Sequence, residues 1–129
     1  MKKIELYDTT LRDGTQQEGI SLSVEDKIAI TLKLDELGID YIEGGYAGAN
    51  PKDDEYFKRV SSLKLKNSKI TAFGNTRKPE TKVSEDQSIS ALLNSKANVL
   101  TIVGKSSAFQ VENILETSLE ENLAMIEDS

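Results

Sequence analysis

Four short apolar runs recur along this chain at a nearly constant interval, each followed by a polar loop and an amphipathic stretch. No other feature constrains the fold as much. Ile4 to Tyr7 is the first run, Tyr41-Ile42 the heart of the second, Ile70 to Phe73 the third and Val99 to Val103 the fourth. Their starts lie about 30 residues or slightly more apart, the length of a βαβ repeat rather than of a hairpin. Helix signals fill the gaps. Ser23 precedes Val24 with Asp26 three residues on, a relative of the capping box. The helix it opens carries Val24, Ile28, Ile30, Leu32, Leu34 and Leu37 as its apolar set, and Gly38 closes it. Asn50-Pro51 sets a capping side chain before a proline suited to the first helical position. Glu85 to Asn94 reads as a third helix that buries Ile89, Leu92 and Leu93. A fourth, running from Val111 to Ile126, has apolar residues at three- and four-residue steps.

Buried, β-branched strands alternating with helices imply a parallel sheet covered by helices, an α/β architecture. The rhythm alone is shared by a closed barrel and an open flavodoxin-like sheet. In either, the loops after the strands open on one face, and that face carries the chemistry. The residues just past each run form a coherent polar set. Asp8, Thr9, Arg12, Asp13 and Gln16 follow the first, and Glu43-Gly44-Gly45-Tyr46 ends the second. Gly74-Asn75-Thr76-Arg77 follows the third and Gly104-Lys105-Ser106 the fourth.

Each of these also has a structural reading. Asp13-Gly14 is a common turn dipeptide, and Glu43 between Ile42 and two glycines suits a solvated strand end. Lys27, one position after Asp26, reads as a salt-bridge or surface residue. Lys105 and Arg77 read as surface cations, although a lysine in Lys105's place can meet a coenzyme phosphate. Asp53, Asp54 and Glu55 stand in a first helical turn, where acids complement the macrodipole without any further role.

Composition narrows the partners. The net charge is −6 with no block of lysine or arginine, which argues against a nucleic-acid groove or an anionic membrane surface. There is no cysteine, hence no disulfide framework and no thiolate metal site. The start Met1-Lys2-Lys3-Ile4-Glu5 lacks a signal peptide's apolar run, and no segment approaches the ~20 apolar residues of a membrane span. The cytoplasm is the expected compartment.

The run Leu11-Arg12-Asp13-Gly14-Thr15-Gln16, followed after ten intervening residues by Lys27, resembles the N-terminal signature of the 2-isopropylmalate, homocitrate and citramalate synthase family. That family belongs to the superfamily of metal-dependent acyltransferases and lyases built on a TIM barrel with an Asp-Arg-Glu triad. The segments Ala72 to Arg77 and Thr101 to Ser106, and Glu43-Gly44-Gly45-Tyr46 leading to Asn50-Pro51-Lys52-Asp53, resemble the citramalate synthase branch. One departure is Ser107, where that branch usually has an aromatic residue.

The resemblance implies a (β/α)8 barrel of which residues 1–129 supply the first four βα units, a half barrel without an internal boundary. It implies a metal-assisted Claisen condensation of acetyl-CoA with a 2-oxo acid, most like pyruvate giving citramalate, in branched-chain amino-acid biosynthesis. Asp13 matches the acidic ligand of a divalent metal (Mg²⁺ or Mn²⁺, with Zn²⁺ as a further candidate), and Arg12 the arginine that stabilises the developing oxyanion. Glu43 matches the triad glutamate and Gln16 a glutamine near the substrate. The family's two histidine ligands are absent, since the chain has no histidine. A homodimer is expected of the full-length enzyme, and inactivity of these residues alone. A 2-isopropylmalate synthase, a related lyase or aldolase, and a half barrel kept as a non-catalytic binding scaffold are the alternatives.

Overall fold

The computed structural model describes residues 3–129. Four parallel strands form one sheet in the order β1-β2-β3-β4: β1 Tyr7–Asp8, β2 Tyr41–Tyr46, β3 Lys69–Asn75 and β4 Val99–Val103. Between and after them lie α1 Val24–Leu37, α2 Pro51–Val60, α3 Gln87–Asn94, α4 Ala108–Asn113 and α5 Leu119–Asp128. Strand order equals chain order, as a barrel wall requires and as an open sheet that reverses direction midway does not. The α/β half-barrel expectation holds.

The helix ends carry the signals anticipated for them. Ser23 and Asp26 form a full reciprocal capping box, and Gly38 closes α1 at φ 88°. The Asn50 side chain accepts from the Asp53 N–H with Pro51 in the first turn of α2, and Asp86 caps α3 by accepting from Ser88 and Ile89. Each such cap is worth about 1 kcal/mol.

The core lies between the sheet and α1–α3. Ile42, Ile70 and Ala72 point outward from the strands against Tyr56 and Phe57 of α2 and Leu92 of α3. The structure differs from the sequence reading in four places. Ile4 to Tyr7 is not a strand throughout: pairing covers Tyr7–Asp8, while Ile4 and Leu6 are exposed. Asp40 takes the Leu6 N–H through its carboxylate, replacing a strand partner by a side chain. The long last helix is two, α4 and α5, parted by a turn with Glu116 at φ 53°. Glu85 belongs to a 3₁₀ turn before α3, and Leu93 of α3 is exposed because only Ile89 and Leu92 face the sheet. On α1 the fully buried positions are Lys27, Thr31 and Asp35; of the apolar set, Val24, Ile28, Ile30 and Leu34 pack partly buried against the core, while Leu32 and Leu37 are exposed.

Candidate active site

β2 carries the irregularity that shapes the site. Its register against β3 slips between Glu43 and Gly45, with Gly44 as the extra residue of a β-bulge. Gly44 and Gly45 then face the helices in succession, and the alternation of side chains is reversed beyond them. Glu43 and Tyr46 therefore both point to the inner side of the sheet, which regular alternation would forbid. Neither glycine leaves room for a side chain: a Cβ on Gly44 would overlap the buried Tyr56 ring, and one on Gly45 would lie 2.7 Å from Asp53 Cγ.

The turn after β1 meets β2 on that inner side. Arg12 donates through Nη2 to Glu43 Oε2 at 3.2 Å and through Nη1 to Asp13 Oδ1 at 3.2 Å. Its guanidinium lies 4.1 Å from the centre of the Phe73 ring, a cation–π platform supplied by β3. Glu43 is 1% exposed, whereas the Asp13 side chain is 62% exposed. The cation is thus gripped from below by a buried carboxylate and flanked at the mouth by an open one. Arg12 Nε is buried without a partner, while Nη1 and Nη2 each keep an N–H beyond the bonds to Asp13 and Glu43. Leu11, fully buried, anchors the turn, and the Thr15 hydroxyl donates to the Arg12 carbonyl at 2.8 Å.

The structure brings Arg12, Asp13 and Glu43 into one cluster. Gln16 ends a 3₁₀ turn, exposed, and no hydrogen bond ties its side chain to the cluster among the described residues. Phe73 escaped the sequence reading, because an aromatic in a strand reads as core and nothing in its spacing points at Arg12. Tyr46, whose ring meets Phe73 edge-on at 5.6 Å, lines with Asn75, Arg77, Lys105 and neighbouring residues a cavity of about 210 Å³ at the ends of β2–β4. Asn75 Nδ2 donates to the Tyr46 hydroxyl at 2.8 Å across its wall. On the inner face of the sheet, the Tyr7 hydroxyl bonds Thr71 at 2.9 Å and Thr101 at 2.7 Å, lacing β1 to β3 and β4.

The surface reading of Arg77 needs correction. Arg77 is 5% exposed and pairs with Glu121 and Asp128 of α5 at 2.7 Å each, holding that helix to the third loop. Its bond to Glu121 raises the Arg77 pKa and lowers that of Glu121. Lys27 pairs with Asp53, as its salt-bridge reading expected, but the pair is internal: Lys27 is 2% exposed and Asp53, read only as a helix-end acid, is buried.

Among the described residues, no group of three or more Asp, Glu, His or Cys side chains is placed to hold a metal ion. Asp13 offers a single hard, solvent-open oxygen donor at the mouth of the cluster. No helix among the described residues is long and apolar enough to cross a membrane.

Parallel βα units in chain order, with an arginine–carboxylate cluster at the strands' C-terminal ends, define the (β/α)8-barrel class. The chain belongs to the HMGL-like family, whose model matches residues 3–129. It is 54% identical over 125 residues to an (R)-citramalate synthase of Aquifex aeolicus, covering 97% of this chain and 24% of the relative. It is 52% identical over 129 residues to an (R)-citramalate synthase of Geobacter sulfurreducens, again covering 24% of it. The chain therefore spans about a quarter of the length of these relatives. A crystal structure of hydroxymethylglutaryl-CoA lyase from Pseudomonas aeruginosa superposes with a TM-score of 0.72 at 22% identity, over 97% of this chain and 40% of that one. This likeness speaks for the fold.

Proposed function

We propose that this chain is the first half of the catalytic barrel of a citramalate synthase, joining acetyl-CoA to pyruvate. The observation that carries the reading is the Arg12 guanidinium set between Asp13 and Glu43 on the Phe73 ring, at the C-terminal ends of the strands. Relatives named (R)-citramalate synthase match nearly the whole chain and support this reading.

In the condensation, a base outside this cluster takes a proton from the acetyl methyl group. That carbon bonds to the keto carbon of the oxo acid, and the carbonyl electron pair moves onto its oxygen. Arg12 meets that oxygen as its charge grows, and fixed positive charge is worth most where it is preorganised. Glu43 holds the guanidinium in place from beneath, and Gln16 contacts the substrate at the rim. Protonation of the oxygen and hydrolysis of the thioester then release citramalate and the thiol of CoA. A divalent cation (Mg²⁺, Mn²⁺ or Zn²⁺), when held by Asp13 and by ligands from beyond this chain, supplies Lewis-acid polarisation of the carbonyl. The reaction belongs to branched-chain amino-acid synthesis, in a cytoplasmic homodimer of the full-length polypeptide.

A thiol-release assay on the full-length protein with acetyl-CoA and Mn²⁺, comparing pyruvate with 2-oxoisovalerate, tests this. Preference for pyruvate is expected. Preference for 2-oxoisovalerate would make the protein a 2-isopropylmalate synthase, and no release with either would end the condensation reading.

A further inference from the structure

Behind the bulge of β2, on the face turned to the helices, sits a buried ion pair that the Arg12 cluster does not use. Lys27 of α1 donates to Asp53 Oδ1 of α2 at 2.5 Å and stands 4.9 Å over the Tyr56 ring. Asp53 Oδ2 accepts from the backbone N–H of Tyr46 at 3.3 Å and from Asn50 Nδ2 at 3.2 Å. The Tyr56 hydroxyl bonds Thr31 at 2.8 Å, and Thr31 donates in turn to the Lys27 carbonyl at 2.8 Å. Complementing the helix dipole accounts for the neighbouring acid Asp54, which meets the Gly48 N–H near the surface, but not for a buried Asp53. Stability does not account for it either, since apolar residues of like volume commonly serve as well as a buried ion pair.

The contacts of this pair are concentrated on the bulge. Asp53 carries the Gly45–Tyr46 peptide, Gly45 is the residue whose Cβ Asp53 would meet, and Tyr56 fills the space beside Gly44. The slip at these residues is what turns Glu43 and Tyr46 to the same side. We propose that Lys27 and Asp53 are positioning residues for the condensation. From behind, they fix the bulge in the register that presses Glu43 against Arg12 and aims Tyr46 at the cavity. The proposal rests on the catalytic reading of Arg12 and Glu43 given above.

The test uses the full-length protein with the Lys27→Met/Asp53→Ala double variant, which leaves no unpaired buried charge, beside Asp53→Ala alone. Expected for the double variant is a folded protein whose kcat falls ~10–100-fold, with KM for pyruvate within about threefold, as slight misplacement of a reacting group predicts. In a Glu43→Gln background the same two substitutions should change kcat less than about twofold, because their effect passes through Glu43. Equal losses in both backgrounds, or unchanged kcat in the folded double variant, overturn the proposal. A crystal structure of the double variant gives a second readout that does not depend on turnover. Loss of the Arg12–Glu43 contact, 3.2 Å in the native arrangement, is expected, and its persistence overturns the proposal. If the native protein condenses neither oxo acid, the functional reading falls, while the crystal structure still decides whether the ion pair sets the bulge.

Discussion

Arg12 and Asp13 are adjacent in sequence, yet their surroundings assign them different work. Arg12 is half-buried, held by Glu43 and stacked on Phe73, whereas Asp13 opens to solvent with only the Arg12 contact. On the proposed reading, Arg12→Ala in the full-length protein is expected to lower turnover ~10²–10³-fold, the usual cost of losing one oxyanion donor, while Mn²⁺ affinity by calorimetry changes little. Asp13→Ala should weaken Mn²⁺ binding itself, and full activity in that variant would remove Asp13 from the ligand set. A second residue-scale prediction concerns acid. Burial pushes the Asp35 carboxyl up, but bonds from the N–H groups of Lys66, Asn67 and Ser68 outweigh it and hold the pKa below its ordinary 3.8. Asp86 is lowered likewise, burial being outweighed by N–H groups of Ile89, Lys78 and Ser88. A folded-state pKa below the unfolded one gives stability that is complete above the unfolded value and lost as pH falls through the folded one. Unfolding midpoints should therefore drop as pH falls below about 4, and Asp35→Asn should flatten that limb.

At the scale of elements, the tightest interface is α2 against the bulge of β2. Gly44→Ala adds a methyl group where Tyr56 has no space to yield, so a loss of ~1–3 kcal/mol is expected by denaturant titration, as for other overpacked interiors. Most elements could be read from the chain because caps and apolar runs agreed: Ser23 with Asp26, Asn50 with Pro51, and the β3 and β4 runs all stand where the structure has them. The misses have physical causes. α4 and α5 read as one helix because Val111, Leu115, Leu119 and Leu123 keep a four-residue spacing across the turn. Ser118, with Glu121 three residues on, was the available sign of a new start, and its side chain does cap α5. On α1 periodicity favoured leucines, whereas the side packed against α2 is polar, a result of Asp53 that spacing cannot reveal. Of the cluster, Arg12 and Asp13 were legible from the signature run, and Glu43 from the resemblance of the second strand's end to the family. The Phe73 platform and the bulge were not, because both depend on register between strands distant in sequence.

At the scale of the whole molecule, the sheet is unfinished. β1 and β4 each pair on one side only within this chain, and Leu100, Ile102 and Val103 of β4 are all more than a third exposed. Residues 1–129 expressed alone are expected to self-associate through these edges and apolar faces, seen as a mass above that of one chain in light scattering. They should show no condensation with pyruvate, acetyl-CoA and Mn²⁺, since among the described residues no group of three or more side chains is placed to hold a metal. A well-behaved monomer that turns over would contradict both expectations.

Because β1, β2, β3 and β4 lie side by side in the order in which they occur in the chain, each new strand finds its template already formed. During synthesis the sheet can thus grow in one direction, without a loop held open for a later partner. Sequence-distant pairings slow folding, and this wall needs few beyond neighbouring units. On the ribosome, the hazard then shifts from finding the right neighbour to shielding a leading edge, always the last strand made, until its successor emerges.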